Sequence, residues 1–197
     1  MAIAVFFGLG SGTLFAFLPT FGEQIGVRTL ALFYIAYACA AMAVRVVAGH
    51  WIDTRGRRAV IVPSMFLQAA GVGLLAALAF LITRVHGLPP LPVLFVAGLI
   101  GGGAHGFLYP GLAALVADQA HEARRGTVIG VFSAVFLVGN SGGAFLFGGV
   151  AHRFGYAAMW STLTTLLLAG ALVSLGLRDE RVRARASPAQ SGSGGRQ

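Results

Sequence analysis

The side chains with the greatest capacity for chemistry are a histidine and a tyrosine in one apolar stretch. His105 and Tyr109 are four residues apart, a spacing that places both on one face of a helix. An imidazole takes up and releases a proton near neutral pH, and a phenol donates a hydrogen bond. Among apolar neighbours, such groups indicate either a hydrogen bond between helices or the lining of a cavity that binds a polar ligand.

Further polar and aromatic side chains lie in other apolar stretches, and they are weaker candidates for the same cavity. They are Asn140, Tyr34, Tyr37 and Phe17. Each has the same two interpretations, helix–helix contact or cavity lining. Arg45 is the one arginine inside an apolar stretch, and it lies one helical turn before Gly49. It can extend its guanidinium to the membrane interface, or it can pair with the connection that follows it or with a partner protein.

A second pattern could indicate an enzyme. Gly139-Asn-Ser141-Gly142 resembles the G-x-S-G of intramembrane serine proteases. A serine nucleophile needs a histidine base within hydrogen-bond reach, and the last apolar stretch contains no histidine. A membrane-embedded protease is therefore the unfavoured alternative, and we expect no enzyme. The glycines Gly8, Gly10 and Gly12 lack the lysine of a phosphate-binding loop, so we expect no cofactor and no metal.

The composition describes the surroundings in which these residues act. Of the 197 residues, 57% are apolar and 10% are charged, whereas a soluble domain has about 25% charged residues. Too few polar side chains are present to cover a water-exposed surface, so a lipid bilayer is expected as the main partner. The net charge of +8 comes from arginines between the apolar stretches and near the end of the chain. That distribution does not suit nucleic-acid binding.

Six apolar stretches are each long enough to cross about 30 Å of hydrocarbon as a helix. They lie at about 1–22, 29–48, 59–83, 91–117, 126–150 and 155–177. Backbone polar groups must be satisfied internally in lipid, which favours helices. We therefore predict an all-α polytopic membrane protein with a six-helix bundle over 1–178. The segment 179–197 is rich in polar residues and is predicted to be a disordered cytoplasmic tail.

Arginine counts on alternate sides predict the orientation. The second and fourth connections and the tail hold ten arginines, and the other three connections hold three. Cytoplasmic loops carry an excess of basic residues, so both termini are predicted to be cytoplasmic in a cell membrane. Glycines spaced by four residues predict close helix packing. These pairs are Gly8 with Gly12, Gly98 with Gly102, Gly102 with Gly106, and Gly139 with Gly143.

The connection between the second and third stretches is the most specific motif. It contains Gly49, Asp53, Gly56, Arg57 and Arg58 in the pattern G-x-x-x-D-x-x-G-R-R. Gly56 permits a tight turn, and a carboxylate at Asp53 can meet the positive end of a neighbouring helix dipole. The pattern resembles the signature loop of the major facilitator superfamily, although that family usually has Arg or Lys where this chain has Thr54.

The resemblance implies a fold and an activity. Members of this superfamily have two six-helix halves and move a small organic solute by alternating access. The fourth stretch lacks the Arg-x-x-Gln-Gly pattern, and the fifth lacks the Gly-Pro pattern, of many N-terminal halves. The chain is therefore more similar to a C-terminal half, with the signature loop serving conformational switching.

The resemblance also implies a partner. The expected partner is an N-terminal six-helix half; the alternative is a second copy of this chain. Either arrangement predicts secondary active transport, with uptake or efflux left open.

Overall fold

The structure is a computed structural model that describes residues 1–85 and 87–177, without the side chain of Asp53. The described residues form five long helices and no strand. They are α1 (Ala2–Gln24), α2 (Ala31–Arg55), α3 (Arg57–Leu81), α4 (Pro90–Asp118) and α5 (Arg125–Leu175), with a 3-10 turn at Glu122–Arg124. All five are long and apolar enough to cross a membrane. The predicted tail at 179–197 lies outside the described residues.

Helix α5 includes both of the last two predicted spans. Its 51 residues would extend about 77 Å as one straight helix, more than twice the hydrocarbon thickness. Gly155 interrupts the helix with φ 80° and ψ 173°. This backbone conformation is open to glycine and strained for other residues. Two helical segments, 125–154 and 156–175, therefore meet at Gly155.

The two segments of α5 run in opposite directions along α1. In the first segment, Gly139 lies against Val5 and Gly148 lies against Phe17, so the numbers rise together. In the second segment, Gly170 lies against Phe6, whereas the Tyr156 hydroxyl donates a 2.6 Å hydrogen bond to the Thr20 hydroxyl. Residue numbers in the second segment therefore fall as those of the contacting residues in α1 rise, so this segment is antiparallel to α1. The chain thus reverses direction at Gly155.

Glycines allow the closest helix contacts, as the four-residue spacing predicted. On α4, a Cβ at Gly98, Gly102 or Gly106 would collide with a backbone carbonyl of α2, those of Phe33, Tyr37 and Ala41 in turn. Helices α2 and α4 are therefore parallel and packed backbone to backbone.

The same arrangement joins α1 to α5. Gly8 and Gly12 of α1 lie against the backbone around Asn140, and Gly139 and Gly143 lie against the backbone of α1. Helix α3 completes the bundle by packing on α4 and α5.

Helix α2 extends beyond residue 48, where the predicted apolar stretch ends. Its last residue is Arg55 and α3 starts at Arg57, so Gly56 alone separates the two helices. Gly49 and the backbone of Asp53 accordingly lie in the final turns of α2 rather than in a loop. Below, the end of the bundle that carries Gly56 is called the Gly56 end, and the opposite end is called the Gly155 end.

Candidate functional site

His105 lies at the centre of a cluster of aromatic rings from four helices. Its ring centroid is 5.0 Å from that of Phe7 on α1 and 5.9 Å from that of Tyr37 on α2. It also stacks on Tyr109 of its own helix, with centroids 6.5 Å apart and planes 8° apart. Tyr109 in turn contacts Phe136 of α5 at 5.8 Å. The structure therefore brings His105 and Tyr109 together, as their spacing predicted.

The cluster continues towards the surface through α1 and α2. Phe15 contacts Tyr37 at 5.2 Å and stacks on Tyr34 at 6.5 Å. Phe7 is fully buried, whereas Phe15 is 41% exposed. We call the connected rings the aromatic cluster: Phe7, Phe15, Phe33, Tyr34, Tyr37, His105, Tyr109, Phe132 and Phe136. Aromatic rings in such offset and tilted arrangements offer flat surfaces to flat organic molecules.

Two predicted cavity residues occupy other positions. Phe17 packs against Gly148 of α5, ten residues along α1 from Phe7, or about 15 Å. Asn140 is half-buried, and its backbone forms the surface on which Gly8 and Gly12 rest. Both residues thus have a position in helix packing, and their assignment to a cavity stays a prediction.

Arg45 is exposed on α2. It lies ten residues before the end of the helix at Arg55, so its Cα is about 15 Å from the Gly56 end. Its neighbours Met42 and Val46 are 69% and 86% exposed. Arg45 thus places a charge beside exposed apolar side chains of α2, where it is costly in a membrane unless a partner or water reaches it.

A network of polar contacts joins the helices at the Gly56 end. The Nε of Arg57 donates to Oδ2 of Asp118 at 2.9 Å, and its Nη1 donates to the Ile52 carbonyl at 3.0 Å. The Nη2 of Arg58 donates to the carbonyl of Leu175, the last residue of α5, at 3.0 Å. Carbonyls at a helix C-terminus have no partner within the helix and carry partial negative charge. Two consecutive arginines thus connect α2, α3, α4 and α5.

The remaining motif residues have separate positions. Gly56 has φ 89° and ψ 161°, a conformation that favours glycine. It forms the tight turn that the sequence predicted. Gly49 is exposed, with open space where a Cβ would stand. The side chain of Asp53 lies outside the described part of the structure, so its contact with a helix dipole stays a prediction. Arg55 covers the ring of Trp51 at 4.6 Å.

Sequence reasoning missed two kinds of site residue. Asp118 follows the fourth apolar stretch, and an acidic residue at that place is a possible partner for the arginines of the motif. Phe7 and Phe136 were not distinguished from the other apolar residues around them. For these two, no local signal in the sequence marks Phe7 as a neighbour of His105 or Phe136 as a neighbour of Tyr109.

Long apolar helices packed through glycines, with more arginines in the connections at one end than at the other, define a polytopic helical membrane protein. The sequence profile of the Major Facilitator Superfamily matches residues 1–195. The chain belongs to this superfamily, and the resemblance carried by the Gly49–Arg58 motif is confirmed.

Two curated relatives were found in Bacillus subtilis (strain 168). The chain is 28% identical to Multidrug resistance protein 1 over 167 residues, which cover 81% of this chain and 40% of that protein. It is 26% identical to Multidrug resistance protein 2 over 158 residues, which cover 76% of this chain and 37% of that protein. The chain therefore spans about two fifths of the length of the curated relatives that it matches. Its family and relatives support membrane transport.

Proposed function

We propose that this chain forms one half of a secondary transporter that moves a small, drug-like organic solute by alternating access, and that it is not an enzyme. The aromatic cluster is the observation that carries the proposal. Its rings come from α1, α2, α4 and α5, start in the core at Phe7 and reach the surface at Phe15. A wall of this kind can stack on flat apolar solutes of varied shape, and the names of both relatives refer to resistance to multiple drugs.

In this proposal the chain crosses the membrane six times, because α5 crosses it twice with its turn at Gly155. The opposite directions of segments 125–154 and 156–175 along α1 support two crossings. The arginine asymmetry supports a cytoplasmic Gly56 end and both termini on the cytoplasmic side of the cell membrane.

The contacts at the Gly56 end would serve as a conformational latch. Arg57 and Arg58 hold the ends of α4 and α5 through exposed, water-accessible hydrogen bonds. Such bonds contribute little to folding stability, so they can break and reform as one half of the transporter rocks against the other. Gly49, Asp53 and Gly56 belong to the same proposed latch.

The other wall of the solute path would come from a second six-helix half or a second copy of this chain. Helices α2 and α5 support this view because they are the least buried of the five. Arg45 stands on the exposed face of α2, where a carboxylate of the second half would be a suitable partner. The absence of the N-terminal-half patterns from α4 and α5 favours the role of a C-terminal half.

Flux measurements on the assembled transporter in liposomes test the proposal. A panel of fluorescent aromatic solutes of different charge would be offered under an ion gradient. We expect saturable flux of at least one solute, with a half-saturation concentration raised about 2- to 10-fold in Tyr37→Leu and Tyr109→Leu, the range for loss of one aromatic contact. Phe154→Leu is the matched control, because Phe154 is 71% exposed and lies outside the aromatic cluster. Equal kinetics in all three variants would contradict the assignment of the solute path.

A further inference from the structure

A small cavity lies between α1, α2, α3 and α4, beside the aromatic cluster. The space that the centre of a water-sized sphere can reach is about 20 Å³. One water molecule needs about 10–15 Å³ of such space, so the cavity has room for about one water. Most of its lining is apolar, and its polar lining residues are Ser11, Tyr37, Gln68 and His105.

Two polar atoms of these lining residues are fully buried without a hydrogen-bond partner among the described residues. They are Oε1 of Gln68 and Nδ1 of His105. Gln68 is 7% exposed, and its Nε2 donates to the Phe7 carbonyl at 3.2 Å. Because a carbonyl only accepts, the amide nitrogen must face α1, and Oε1 is left as an acceptor. Burying an acceptor without a donor is costly, so both atoms point to a small polar ligand.

We propose that this cavity is a binding site for a single water molecule that bridges Gln68 and His105. The water donates to Gln68 Oε1 and makes its second hydrogen bond with His105 Nδ1. Ser11 and Tyr37 line the same cavity, and in this proposal their hydroxyls complete the two to four hydrogen bonds that buried waters make.

This arrangement makes Gln68 a positioning residue for His105. Gln68 is fixed to α1 by its hydrogen bond to Phe7, and Gly10 provides the room, because a Cβ there would lie 2.5 Å from the amide nitrogen. Through the water, the orientation of the His105 ring then depends on α1 and α3 as well as on its own helix. The site does not depend on any solute, so it is testable apart from transport.

Magnetic resonance in lipid bilayers tests the water site. The complete protein would carry ¹⁵N in its histidines and tryptophans, and magnetisation transfer from water protons to each ring would be measured. The His105 signal is assigned by its loss in His105→Gln. We expect transfer to His105 and to Trp51, which is 38% exposed. We expect none to Trp160, whose buried Nε1 also has no partner among the described residues, because Trp160 does not line this cavity.

Two variants separate the water from general wetting of the core. Gln68→Met keeps the side-chain length and removes both polar atoms. Val72→Ile keeps every polar atom and adds one methyl group to a residue that lines the cavity. Each should reduce transfer to His105 at least several-fold, while Trp51 and Trp160 keep their wild-type behaviour as evidence of an intact fold. Absence of transfer to His105 in the wild type, or undiminished transfer in both variants, would overturn the proposal.

Discussion

The Nε atom of Arg57 lies 2.9 Å from Oδ2 of Asp118, which joins the first residue of α3 to the last residue of α4. The two side chains are 25% and 42% exposed. Exposed ion pairs contribute about 0–1 kcal/mol to stability because water and salt screen them. Since the same guanidinium also binds the Ile52 carbonyl of α2, this pair restricts how three helix ends move more than it stabilises the fold.

Asp118→Asn should therefore separate transport from stability. We expect the free energy of unfolding to fall by less than about 1 kcal/mol, with a clear decrease in the maximal transport rate. Glu122→Gln is the control, because it removes one exposed negative charge from the same connection. Thermal unfolding in detergent and flux in liposomes would be measured on both variants. If the two variants transport alike, the contact is only a surface ion pair.

Adjacent glycines on α4 provide a test of helix packing. A Cβ at Gly102 would collide with the Tyr37 carbonyl, whereas a Cβ at Gly103 would meet only a Val44 methyl at 3.9 Å. Gly102→Ala should destabilise the protein by about 1–3 kcal/mol because the helices must separate. Gly103→Ala should be neutral or stabilising by up to about 1 kcal/mol, the usual helix preference for alanine. Thermal unfolding of the two variants decides, and equal stabilities would contradict the parallel packing of α2 and α4.

The sequence predicts where the helices lie, but it does not predict which residues of different helices are in contact. Spacing along one helix predicts which residues share a face, so His105 with Tyr109 and the glycine pairs could be identified. These helices are apolar on all sides, and such helices give no periodic signal of which side faces protein. The positions of Phe7 beside His105 and of Phe136 beside Tyr109 depend on how separate helices pack, as does the contact between Arg57 and Asp118. None of these contacts could be predicted from local pattern.

Helix boundaries show a related difficulty. The charged residues from Asp53 to Arg58 end an apolar stretch, and this pattern predicts a connection between two helices. The structure continues α2 to Arg55, because a helix can extend into the interfacial region once its side chains reach water. Only Gly56, with its positive φ, is needed for the turn. Charge therefore predicted where the apolar stretch ends, and glycine conformation determined where the helix ends.

The path of α5 can be checked by cysteine labelling in intact cells, in a Cys39→Ala background. Single cysteines would be placed at Arg124, Arg153 and Gly176, which lie at the start, at the bend and just after the end of the helix. If α5 crosses twice from a cytoplasmic start, only the cysteine at Arg153 should react with an impermeant thiol reagent. Labelling at Arg124 with protection at Arg153 would reverse the orientation, and unequal labelling of Arg124 and Gly176 would contradict two crossings.

His105 should influence how transport depends on pH. The titratable and charged groups around it are Tyr37 and Arg45 of α2 and Tyr109 of its own helix. The residues that α1, α3 and α5 contribute to this region are uncharged; they are Phe7, Gln68 and Phe136. No carboxylate is among these named neighbours, so the imidazole of His105 is the side chain of this set most able to exchange a proton.

We expect His105→Ala to change the half-saturation concentration or the pH dependence of flux. His121→Ala, at an exposed position in a connection, is the control. A profile and affinity equal to wild type in His105→Ala would leave His105 with helix packing alone.

The last prediction concerns the outer surface of α2 and α5. Met42 and Val46 of α2 are 69% and 86% exposed, and Val138 and Phe145 of α5 are 72% and 84% exposed. Either lipid or a second half must cover these apolar side chains in a membrane. Alternating access rocks two halves around a site near the midplane, and in the function proposed above the aromatic cluster supplies one wall of such a site. We therefore predict that this chain alone does not transport.

The decisive measurement is flux in liposomes that contain only this chain, together with the mass of the protein in mild detergent. Co-reconstitution with a separate N-terminal half should restore flux if that half is the natural partner. A second copy of this chain is also geometrically possible, because the halves of this superfamily share one membrane orientation. Flux by a species of two-chain mass would favour that homodimer. Saturable flux by a species of one-chain mass would refute the prediction, because one half would then form a complete solute path.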